Sequence, residues 1–299
     1  MIPGEVRTAL GRQHYRLVGN HSAVKICTWL KKSMRDEGVC YKQKFYGIQS
    51  HRCLQMTPWI LCSNRCLFCW RIIEKTQINI EKIDEPGDII NGCIKAQRLL
   101  LTGFKGLDRT DKRKWKEGQY PNQAAISLVG EPTLYPKIAE LVDEFYRTGF
   151  TTFLVTNGQY PEKLKEIKNL TNLYISLDAP DKKTYEKLDR PSLPDYWERL
   201  MESLGVMKTF PTKKVIRLTM VKNWNMKSPE KYAELIKRAE PDFIEVKGYM
   251  FVGESTNRLS IGCMPLHGDV KRFAEKIAKE SGYRYKDEQA ASRVVLLSR

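Results

Sequence analysis

Short apolar runs alternate with amphipathic stretches along most of the chain. From residue 56 onward, runs rich in β-branched and aromatic residues predict strands, beginning with MTPWILC. Between these runs, apolar residues recur at helical spacing, as in EPGDIINGCIKAQRLLL, where Pro86 and Asp88 mark the beginning of a helix. About six strand–helix units of this kind follow one another. Their alternation predicts an α/β fold with a parallel sheet.

The later strands and helices repeat the same pattern. The further predicted strands are AAISLVG, TTFLVTNG, NLYISLDA, VIRLTMVKN and DFIEVKGYMF, and the helices include YPKIAELVDEFYRTG, YWERLMESLGVMK and SPEKYAELIKRA. About six units are too few for a complete eight-stranded barrel, so we predict an open, partial barrel with its chemistry at the C-terminal ends of the strands. A doubly wound open sheet has the same pattern and is the alternative.

Two segments lie outside this pattern. Residues 1–55 are predicted to form an N-terminal segment with short helical stretches and an extended run, KFYGIQSHRCLQMTP, at its end, and residues 56–299 form the core with a C-terminal extension. Residues 102–123 are a long polar insertion, with Lys and Arg on both sides of Trp115. We expect a solvated surface loop there, and the alternative is a nucleic-acid contact in which Trp115 stacks on a base.

The composition is that of a globular protein with a strong positive charge. Lys and Arg number 51 against 35 Asp and Glu, which gives a formal net charge of +16. No apolar run reaches the length of a membrane span, and the N-terminus lacks the apolar stretch of a signal peptide, so we expect a cytoplasmic protein without membrane contact. The charge favours a polyanionic partner such as nucleic acid, although a merely basic enzyme would have the same composition.

Eight cysteines in a chain of this kind indicate metal or redox chemistry, because thiols in the cytosol stay reduced. Three of them, Cys62, Cys66 and Cys69, directly follow the first predicted strand. Three thiolates on one loop can converge on an iron–sulfur cluster or on a zinc ion. Because only three ligands lie so close in sequence, one coordination position is left open for a substrate.

The C-x3-C-x-φ-C spacing, with Phe68 before the last cysteine, resembles the signature of the radical S-adenosylmethionine (SAM) superfamily. The resemblance implies a radical SAM partial (β/α)6 TIM-like barrel and a [4Fe–4S] cluster on the three cysteines, where one electron cleaves SAM to a 5′-deoxyadenosyl radical. The GEP sequence at 130–132 is similar to the superfamily's GGEP motif, with Val129 in place of the first glycine. By the same resemblance, SAM contacts are expected at Gly130, Glu131, Pro132, Asn157, Ser176 and Asp178.

A second triad, Cys27, Cys40 and Cys53, has twelve residues in each interval. This spacing, together with the phrases WILCSNRCLFCWR, SLVGEPTLYP and VTNGQYP, is similar to the tRNA 4-demethylwyosine synthases, in an archaeal, stand-alone form without a flavodoxin-like extension. The similarity implies a second [4Fe–4S] cluster on the N-terminal triad. It also implies an external one-electron donor of the flavodoxin or ferredoxin type. Cys93 and Cys263 are expected to be structural.

The family resemblance further implies a lyase of wybutosine biosynthesis, which is a tRNA-processing pathway. Its substrates would be N1-methylguanosine-37 in the anticodon loop of tRNA(Phe) and pyruvate, which supplies two carbons to close the third ring of the base. Lys42, two residues after Cys40, would hold pyruvate as a Schiff base, and chelation of pyruvate by the second cluster is the alternative. We expect a monomer.

Contacts to RNA would come from dispersed residues, because the sequence contains no RNA-recognition motif, KH motif or zinc knuckle. Trp70 and Trp115 are candidates for stacking on a splayed-out base, and for Trp70 the alternative is a place in the core. Lys and Arg residues in 105–116 and 269–279 are candidates for phosphate contacts. His51 is a candidate donor to a cluster sulfur, and a plain loop histidine is the alternative.

Two other functions account for parts of the sequence. A radical SAM enzyme with another substrate, such as a glycyl-radical activase or a peptide-modifying enzyme, would use the Cys62 triad but gives no reason for the second triad or the charge. A zinc-stabilised RNA-binding protein without catalysis would explain the cysteines and the charge. It would leave Glu131 and Asn157, at the ends of successive predicted strands, without a role.

Overall fold

The structure is a computed structural model that describes residues 2–73 and 79–299. The chain forms two compact units. The first unit comprises Met1–Cys62, Glu74–Val155 and Glu166–Thr171, and the second comprises Ser63–Ile73, Thr156–Lys165 and Asn172–Arg299. None of the helices in the described residues combines the length and apolar character needed to cross a membrane.

The first unit contains a sheet of three parallel strands with an antiparallel edge. Its strands are β1 (Arg16–Val18), β2 (Ser22–Val24), β3 (Cys53–Thr57), β4 (Gln123–Ile126) and β5 (Thr151–Thr156). Its helices are α1 (Gly4–Arg12), α2 (Thr28–Ser33), α3 (Tyr41–Tyr46), α4 (Pro86–Leu101), α5 (Lys112–Gly118) and α6 (Ile138–Arg147). Strands β3, β4 and β5 pair in parallel, whereas β1 and β2 pair antiparallel with each other and β2 does so with β3.

Burial of apolar helix faces against these strands stabilises the first unit. Helix α4 begins with Pro86. The first N–H groups of a helix have no partner within the helix, so proline, which lacks an N–H, loses no hydrogen bond there. It buries Ile89, Ile90 and Leu101 at helical spacing, and all four residues of β4 are buried. Full burial of one large apolar side chain contributes about 1.5–3 kcal/mol.

The second unit repeats the parallel arrangement. After α7 (Pro161–Glu166), its strands are β6 (Asn172–Ser176), β7 (Lys213–Met220), β8 (Phe243–Gly248), β9 (Arg284–Gln289) and β10 (Val294–Ser298). Its other helices are α8 (Lys182–Asp189), α9 (Tyr196–Thr209), α10 (Pro229–Ala239) and α11 (His267–Ser281). Strands β6, β7 and β8 are parallel, and β10 pairs antiparallel with both β8 and β9.

The two faces of the parallel strands in the second unit differ in polarity. Ile216, Leu218 and Val246 are fully buried on one face. On the other face the register places Ser176 opposite Arg217, and Arg217 opposite Glu245. Successive side chains of a strand point to opposite faces, so a polar row crosses three strands on a single face. Ser176, one of the predicted SAM contacts, belongs to this row.

The α/β class with parallel strands, predicted from the alternation of runs, is confirmed. The six predicted core strands correspond to β3–β8, and β9 and β10 form the C-terminal extension. Strands β1 and β2 were not predicted, because three-residue strands are too short to show a period. The division of the chain at residues 55 and 56 stays a prediction.

Three local predictions were wrong. MTPWILC is a strand only as far as Thr57, because Pro58 has no N–H for the ladder. The run expected to be extended begins instead with the end of α3, which closes at Gly47 with a φ of 75°. Residues 102–123 are not simply a loop, since α5 begins there with the Asp111 side chain accepting hydrogen bonds from two backbone N–H groups.

Candidate active site

The N-terminal cysteines lie at the beginnings of three different elements of the first unit. Cys27 precedes α2, and its Sγ accepts a hydrogen bond from the Leu30 N–H at 3.3 Å. Cys40 precedes α3, and its N–H donates to Ser50 Oγ at 2.9 Å. Cys53 is the first residue of β3. All three thiols are half-buried, and none is in a disulfide.

These three thiols lie close enough to influence one another's charge. Burial raises the pKa of Cys53, and the neighbouring thiols of Cys27 and Cys40 raise that pKa further, whereas the positive charge of Lys42 opposes the change. Burial also raises the pKa of Cys27. Thiols in such surroundings keep their protons unless a cation takes the place of those protons. The fold therefore brings Cys27, Cys40 and Lys42 near Cys53.

The three N-terminal thiols can be compared with the ligands that a metal ion or an iron–sulfur cluster requires. Within residues 2–73 and 79–299, no three His, Cys, Asp or Glu side chains form a group that could hold a metal ion. Three reduced, mutually interacting thiols on elements of one unit nevertheless have the ligand chemistry of a [4Fe–4S] cluster. The N-terminal triad thus fits a cluster by donor type.

Lys42 is buried, although lysine side chains are rarely fully buried unless they are paired. Only 8% of the residue is exposed, and its Nζ lies 4.3 Å from the centre of the Phe153 ring. Tyr46 packs against the same ring, with the ring centres 6.1 Å apart. The amine therefore lies in a largely dry, aromatic environment, where a carbonyl adduct would be protected from water.

His51 and Trp115 both make specific contacts within the first unit. His51 Nε2 lies 2.6 Å from Glu117 Oε2, so this ring nitrogen is engaged by a carboxylate and not by a sulfur. The pKa of Glu117 is lowered first by its hydrogen bond with Arg113 and then by the one with His51. Trp115 packs beside the core formed by Ile26, Leu30, Met34 and Leu101, and its Nε1 donates to the Leu101 carbonyl at 3.0 Å. Its indole is thus part of the packing under α5.

The GEP sequence holds the backbone that leads to Cys62. Gly130 has a φ of 72°, and a Cβ there would come within 2.5 Å of the backbone atoms of Ile60 and Leu61. The Glu131 N–H donates to the Leu61 carbonyl at 2.7 Å. The Glu131 carboxylate is buried and accepts hydrogen bonds from the Thr133 N–H and hydroxyl. Only glycine allows this close approach.

The second unit holds the other two cysteines of the loop through the end of α8. The Arg65 N–H donates to the Asp189 carbonyl and the Leu67 N–H to the Leu188 carbonyl, at 3.0 and 2.9 Å. Cys66 Sγ lies 3.4 Å from Asp189 Oδ1. Cys62 is exposed and Cys66 and Cys69 are half-buried. Their backbone is therefore fixed, and the thiols remain accessible.

Arg258 gives further support to this loop and was not predicted. Its guanidinium donates to the carbonyls of Leu67 and Cys69, with a distance of 3.2 Å to Leu67. The sequence contains no signal for Arg258 or for Asp189, because 191 and 123 positions separate these residues from their partners. Long-range pairs of this kind follow only from the tertiary fold.

Asn157 lies after β5 and contacts the start of the cysteine loop. Its Nδ2 donates to Ser63 Oγ at 3.1 Å, and its Oδ1 accepts from the Gln159 N–H at 3.1 Å. The side chain is half-buried, as is that of Ser176 at the end of β6. Both residues therefore lie at the C-terminal ends of parallel strands, where α/β enzymes bind their ligands.

Two buried carboxyl groups follow β6 and α8. Burial raises the pKa of Asp178 to about 6, against the opposing effects of the Thr219 hydrogen bonds and the Arg217 charge. Asp178 Oδ1 accepts from the Thr219 N–H at 2.6 Å, which ties the loop after β6 to β7. Burial and then the nearby charge of Asp178 raise the pKa of Asp189. Among the described residues, the buried Asp189 Oδ2 has no hydrogen-bond partner.

Cys93 and Cys263 are buried in apolar surroundings. Cys93 lies on the inner face of α4, and Cys263 packs with Tyr249 and Leu259. Trp70 is half-buried, with the Arg71 guanidinium 5.2 Å from its ring centre. Its carbonyl accepts from the Glu254 N–H at 3.0 Å. None of these positions adds a ligand to the two triads.

Comparison with known proteins identifies the arrangement. The model of the radical SAM superfamily matches residues 56–236, and that of wyosine base formation matches residues 238–299. The chain belongs to the radical SAM superfamily. A SAM-dependent tRNA 4-demethylwyosine synthase of Pyrococcus abyssi is 52% identical over all of this chain and 90% of the relative. The chain therefore also belongs to the family of these synthases.

More distant relatives and solved structures agree. The synthase of Oryza sativa is 42% identical over all of this chain, which covers 47% of that relative. A structure of TYW1 with a bound lysine–pyruvate adduct has a TM-score of 0.92 and 39% identity, over all of this chain and 96% of that one. A crystal structure of archaeal TYW1 has a TM-score of 0.84 and 36% identity, with the same coverage.

The family implies SAM and a [4Fe–4S] cluster as cofactors. Cys62, Cys66 and Cys69 suit that cluster, because all three are accessible thiols outside any disulfide, and α8 and Arg258 hold the backbone around Cys66 and Cys69. Three thiolates leave one iron without a protein ligand. The residues present thus fit the cofactors of the family.

Proposed function

We propose that this chain converts N1-methylguanosine-37 of tRNA(Phe) and pyruvate into the tricyclic base 4-demethylwyosine. The single observation that carries the proposal furthest is the placement of Lys42, which is buried within electrostatic reach of Cys53 in the N-terminal triad. One solved relative of 39% identity holds a lysine–pyruvate adduct. A buried lysine beside a cysteine triad is the position from which this chain would form such an adduct.

The chemistry assigned to Lys42 is that of an amine nucleophile. Its Nζ attacks the ketone carbon of pyruvate, the oxygen leaves as water, and a C=N bond results. The Phe153 and Tyr46 rings cover the site and limit the access of water that would hydrolyse the adduct. The triad would hold the second [4Fe–4S] cluster, on Cys27, Cys40 and Cys53.

The Cys62 triad and the strand ends would carry out the other half of the reaction. When bound, the [4Fe–4S] cluster and SAM supply the one-electron chemistry that removes a hydrogen atom from the N-methyl group. Asn157, Ser176 and Asp178 would orient SAM from the C-terminal ends of their strands, and Glu131 would do so after β4. The positions of these residues at strand ends support the assignment.

The remaining partners follow from charge and chemistry. A net charge of +16 suits an RNA substrate, since each Lys or Arg that meets a phosphate releases counterions. Cleavage of SAM consumes one electron, and we assign an external donor of the flavodoxin or ferredoxin type. We further assign a monomer that works in the cytoplasm.

The test is a reconstituted reaction. Anaerobically reconstituted protein is incubated with tRNA(Phe) carrying N1-methylguanosine-37, SAM, pyruvate and a reductant, and the tRNA is digested and analysed by mass spectrometry. The expected product is 4-demethylwyosine, formed only when pyruvate is present. SAM cleavage without any tRNA product would instead indicate a radical SAM enzyme with another substrate.

The lysine adduct has its own test. Borohydride reduces an imine to a stable secondary amine, so pyruvate and borohydride together should label Lys42, and digestion should locate the label on the peptide that contains α3. Absence of a label on Lys42, with product still formed by Lys42→Ala, would favour chelation of pyruvate by the second cluster.

A further inference from the structure

Five polar residues of the second unit form a closed circuit of hydrogen bonds, which we call the Tyr185 circuit: Ser63, Asn64, Asn157, Gln159 and Tyr185. The Tyr185 hydroxyl oxygen accepts from Asn64 Nδ2 at 2.8 Å and from Gln159 Nε2 at 3.1 Å. The Gln159 N–H donates to Asn157 Oδ1, and Asn157 Nδ2 donates to Ser63 Oγ, both at 3.1 Å. The peptide bond between Ser63 and Asn64 closes the circuit.

The polar groups at the centre of the circuit are almost completely withdrawn from water. Tyr185 is 1% exposed, Asn64 3% and Gln159 0%. A buried amide that loses its hydrogen-bond acceptor has given up its hydrogen bonds to water and gained none in return, which destabilises the folded state. The Tyr185 hydroxyl therefore holds the Asn64 amide more firmly than a surface hydrogen bond would, and it holds the Gln159 amide together with the Tyr196 carbonyl, which accepts from Gln159 Nε2 at 3.1 Å.

The circuit joins the two segments on which SAM binding depends. Ser63 and Asn64 lie between Cys62 and Cys66, and Asn157 is the predicted contact after β5. A shift of Asn64 would move the cysteine loop, and a shift of Gln159 would turn Asn157. We propose that Tyr185 is a positioning residue that holds Asn157 and the cysteine loop in the arrangement that binds SAM. This inference rests on the proposed function only in taking SAM as the ligand.

The ring and the hydroxyl of Tyr185 have separate roles. The ring stacks on that of Tyr196 with 5.8 Å between centres, and it meets Trp197 edge-on at 6.0 Å. These contacts do not involve the hydroxyl, so Tyr185→Phe keeps the packing and opens the circuit. The substitution thus removes the two hydrogen bonds to the hydroxyl and leaves the ring contacts in place.

The experiment uses the anaerobically reconstituted full chain as wild type, Tyr185→Phe and a matched control, Tyr283→Phe. Tyr283 is also buried in the second unit, and its hydroxyl donates to the Pro241 carbonyl. Equilibrium dialysis gives the SAM dissociation constant, and electron paramagnetic resonance of the reduced cluster gives the spectral change on SAM addition. Loss of about one buried hydrogen bond should weaken SAM binding in Tyr185→Phe about tenfold and alter that spectral change. Tyr283→Phe should match the wild type in both.

A second variant covers the case in which Tyr185→Phe does not fold. Gln159→Met keeps the length of the side chain and removes the amide, so it opens the circuit from the other side and should also weaken SAM binding about tenfold. The double variant should bind SAM no more weakly than either single variant. Each substitution already interrupts the same circuit, so the second one has nothing further to remove. Wild-type SAM affinity and an unchanged spectrum in a folded Tyr185→Phe or Gln159→Met protein would overturn the inference.

Failure of the proposed function is distinguishable from failure of this inference. SAM binding is measured without tRNA or pyruvate, so a protein that makes no 4-demethylwyosine but shows the tenfold differences would leave the role of Tyr185 standing. A wild-type protein that binds no SAM would overturn both.

Discussion

The two cysteine triads reach their positions in different ways. Cys62, Cys66 and Cys69 share one loop, and their order is already present in eight consecutive residues. Cys27, Cys40 and Cys53 begin α2, α3 and β3, so three elements of the first unit must fold before these thiols meet. The first triad is a local motif and the second is a product of tertiary structure.

The difference extends to what surrounds each triad. Residues 65–69, which carry Cys66 and Cys69, are held by hydrogen bonds to the carbonyl groups of α8 and from the Arg258 guanidinium, all within the second unit. The N-terminal triad is accompanied instead by a buried amine, Lys42. The first arrangement suits a ligand bound at an open coordination position, and the second suits a substrate held by a covalent bond. We therefore expect a division of labour between the triads, with SAM bound at the Cys62 triad and pyruvate at the N-terminal triad.

Cys66→Ala should have the largest effect, because it should inactivate one triad and leave the other intact. Loss of one thiolate should remove the cluster at the Cys62 loop and abolish formation of 5′-deoxyadenosine from SAM, while iron at the N-terminal triad remains. The measurement is chromatography of the SAM products together with iron content. Cys263→Ala, in which a buried core cysteine is replaced, is the matched control and should keep SAM cleavage. Equal loss in both would show that the effect is not specific to the loop.

Lys42→Ala tests the role of the buried amine beside the N-terminal triad. It should abolish 4-demethylwyosine while SAM is still cleaved, because the substitution removes the amine that would hold pyruvate. Lys44→Ala, at an exposed position of the same helix, should retain product and serves as control. Both activities are measured in one reaction. Normal product from Lys42→Ala would contradict the role of the lysine.

Gly130→Ala tests how the backbone before Cys62 is fixed. The new Cβ would collide with the carbonyl groups of Trp59 and Leu61, so we expect a loss of about 3 kcal/mol or more in the free energy of unfolding. Gly149 also has a positive φ, of 77°, but a Cβ there meets nothing within 4 Å. Gly149→Ala should therefore cost only about 1–2 kcal/mol. Urea unfolding of both variants gives the values, and equal costs would contradict the close approach.

The smallest expected effect concerns Asp178 in the second unit. Because the folded state raises the pKa of Asp178 to about 6, folding binds a proton more tightly there, and this group's contribution to stability falls as the pH rises from about 4 to about 6. Asp178→Asn keeps the acceptor for Thr219 and should stabilise the apo protein by about 2–3 kcal/mol at neutral pH.

The pH dependence provides the control for Asp178→Asn. Below about pH 4 the wild-type carboxyl is protonated in both states, so the variant should lose its advantage there. Urea unfolding across this range measures the difference. A gain that does not change with pH would show that the charge of Asp178 is not its cause.

Much of the fold could be predicted because its signals are local. Alternating apolar runs gave the parallel strands β3–β8, and Pro86 and Asp88 marked the beginning of α4. The spacing of the six cysteines made them candidates, and the family resemblance pointed to Lys42. The Cys62 motif occupies eight consecutive residues and needs no knowledge of the tertiary fold.

The remaining parts of the site depend on distant pairs. Asp189 and Arg258 support the cysteine loop from 123 and 191 positions away, so no window along the sequence contains both partners. The contacts of His51 and Trp115 could not be predicted for the same reason, since Glu117 and the core beside Leu101 reach them only in the folded chain. Local composition could not show that the half-buried Trp115 indole packs beside this core.

The most direct test of two working triads is the iron and sulfide content per chain after anaerobic reconstitution of the wild type, Cys66→Ala and Cys40→Ala. Two four-iron clusters predict about eight irons with equal sulfide in the wild type. Each variant should then retain about four irons. About four irons in the wild type, unchanged by Cys40→Ala, would contradict a cluster at the N-terminal triad and the division of labour built on it.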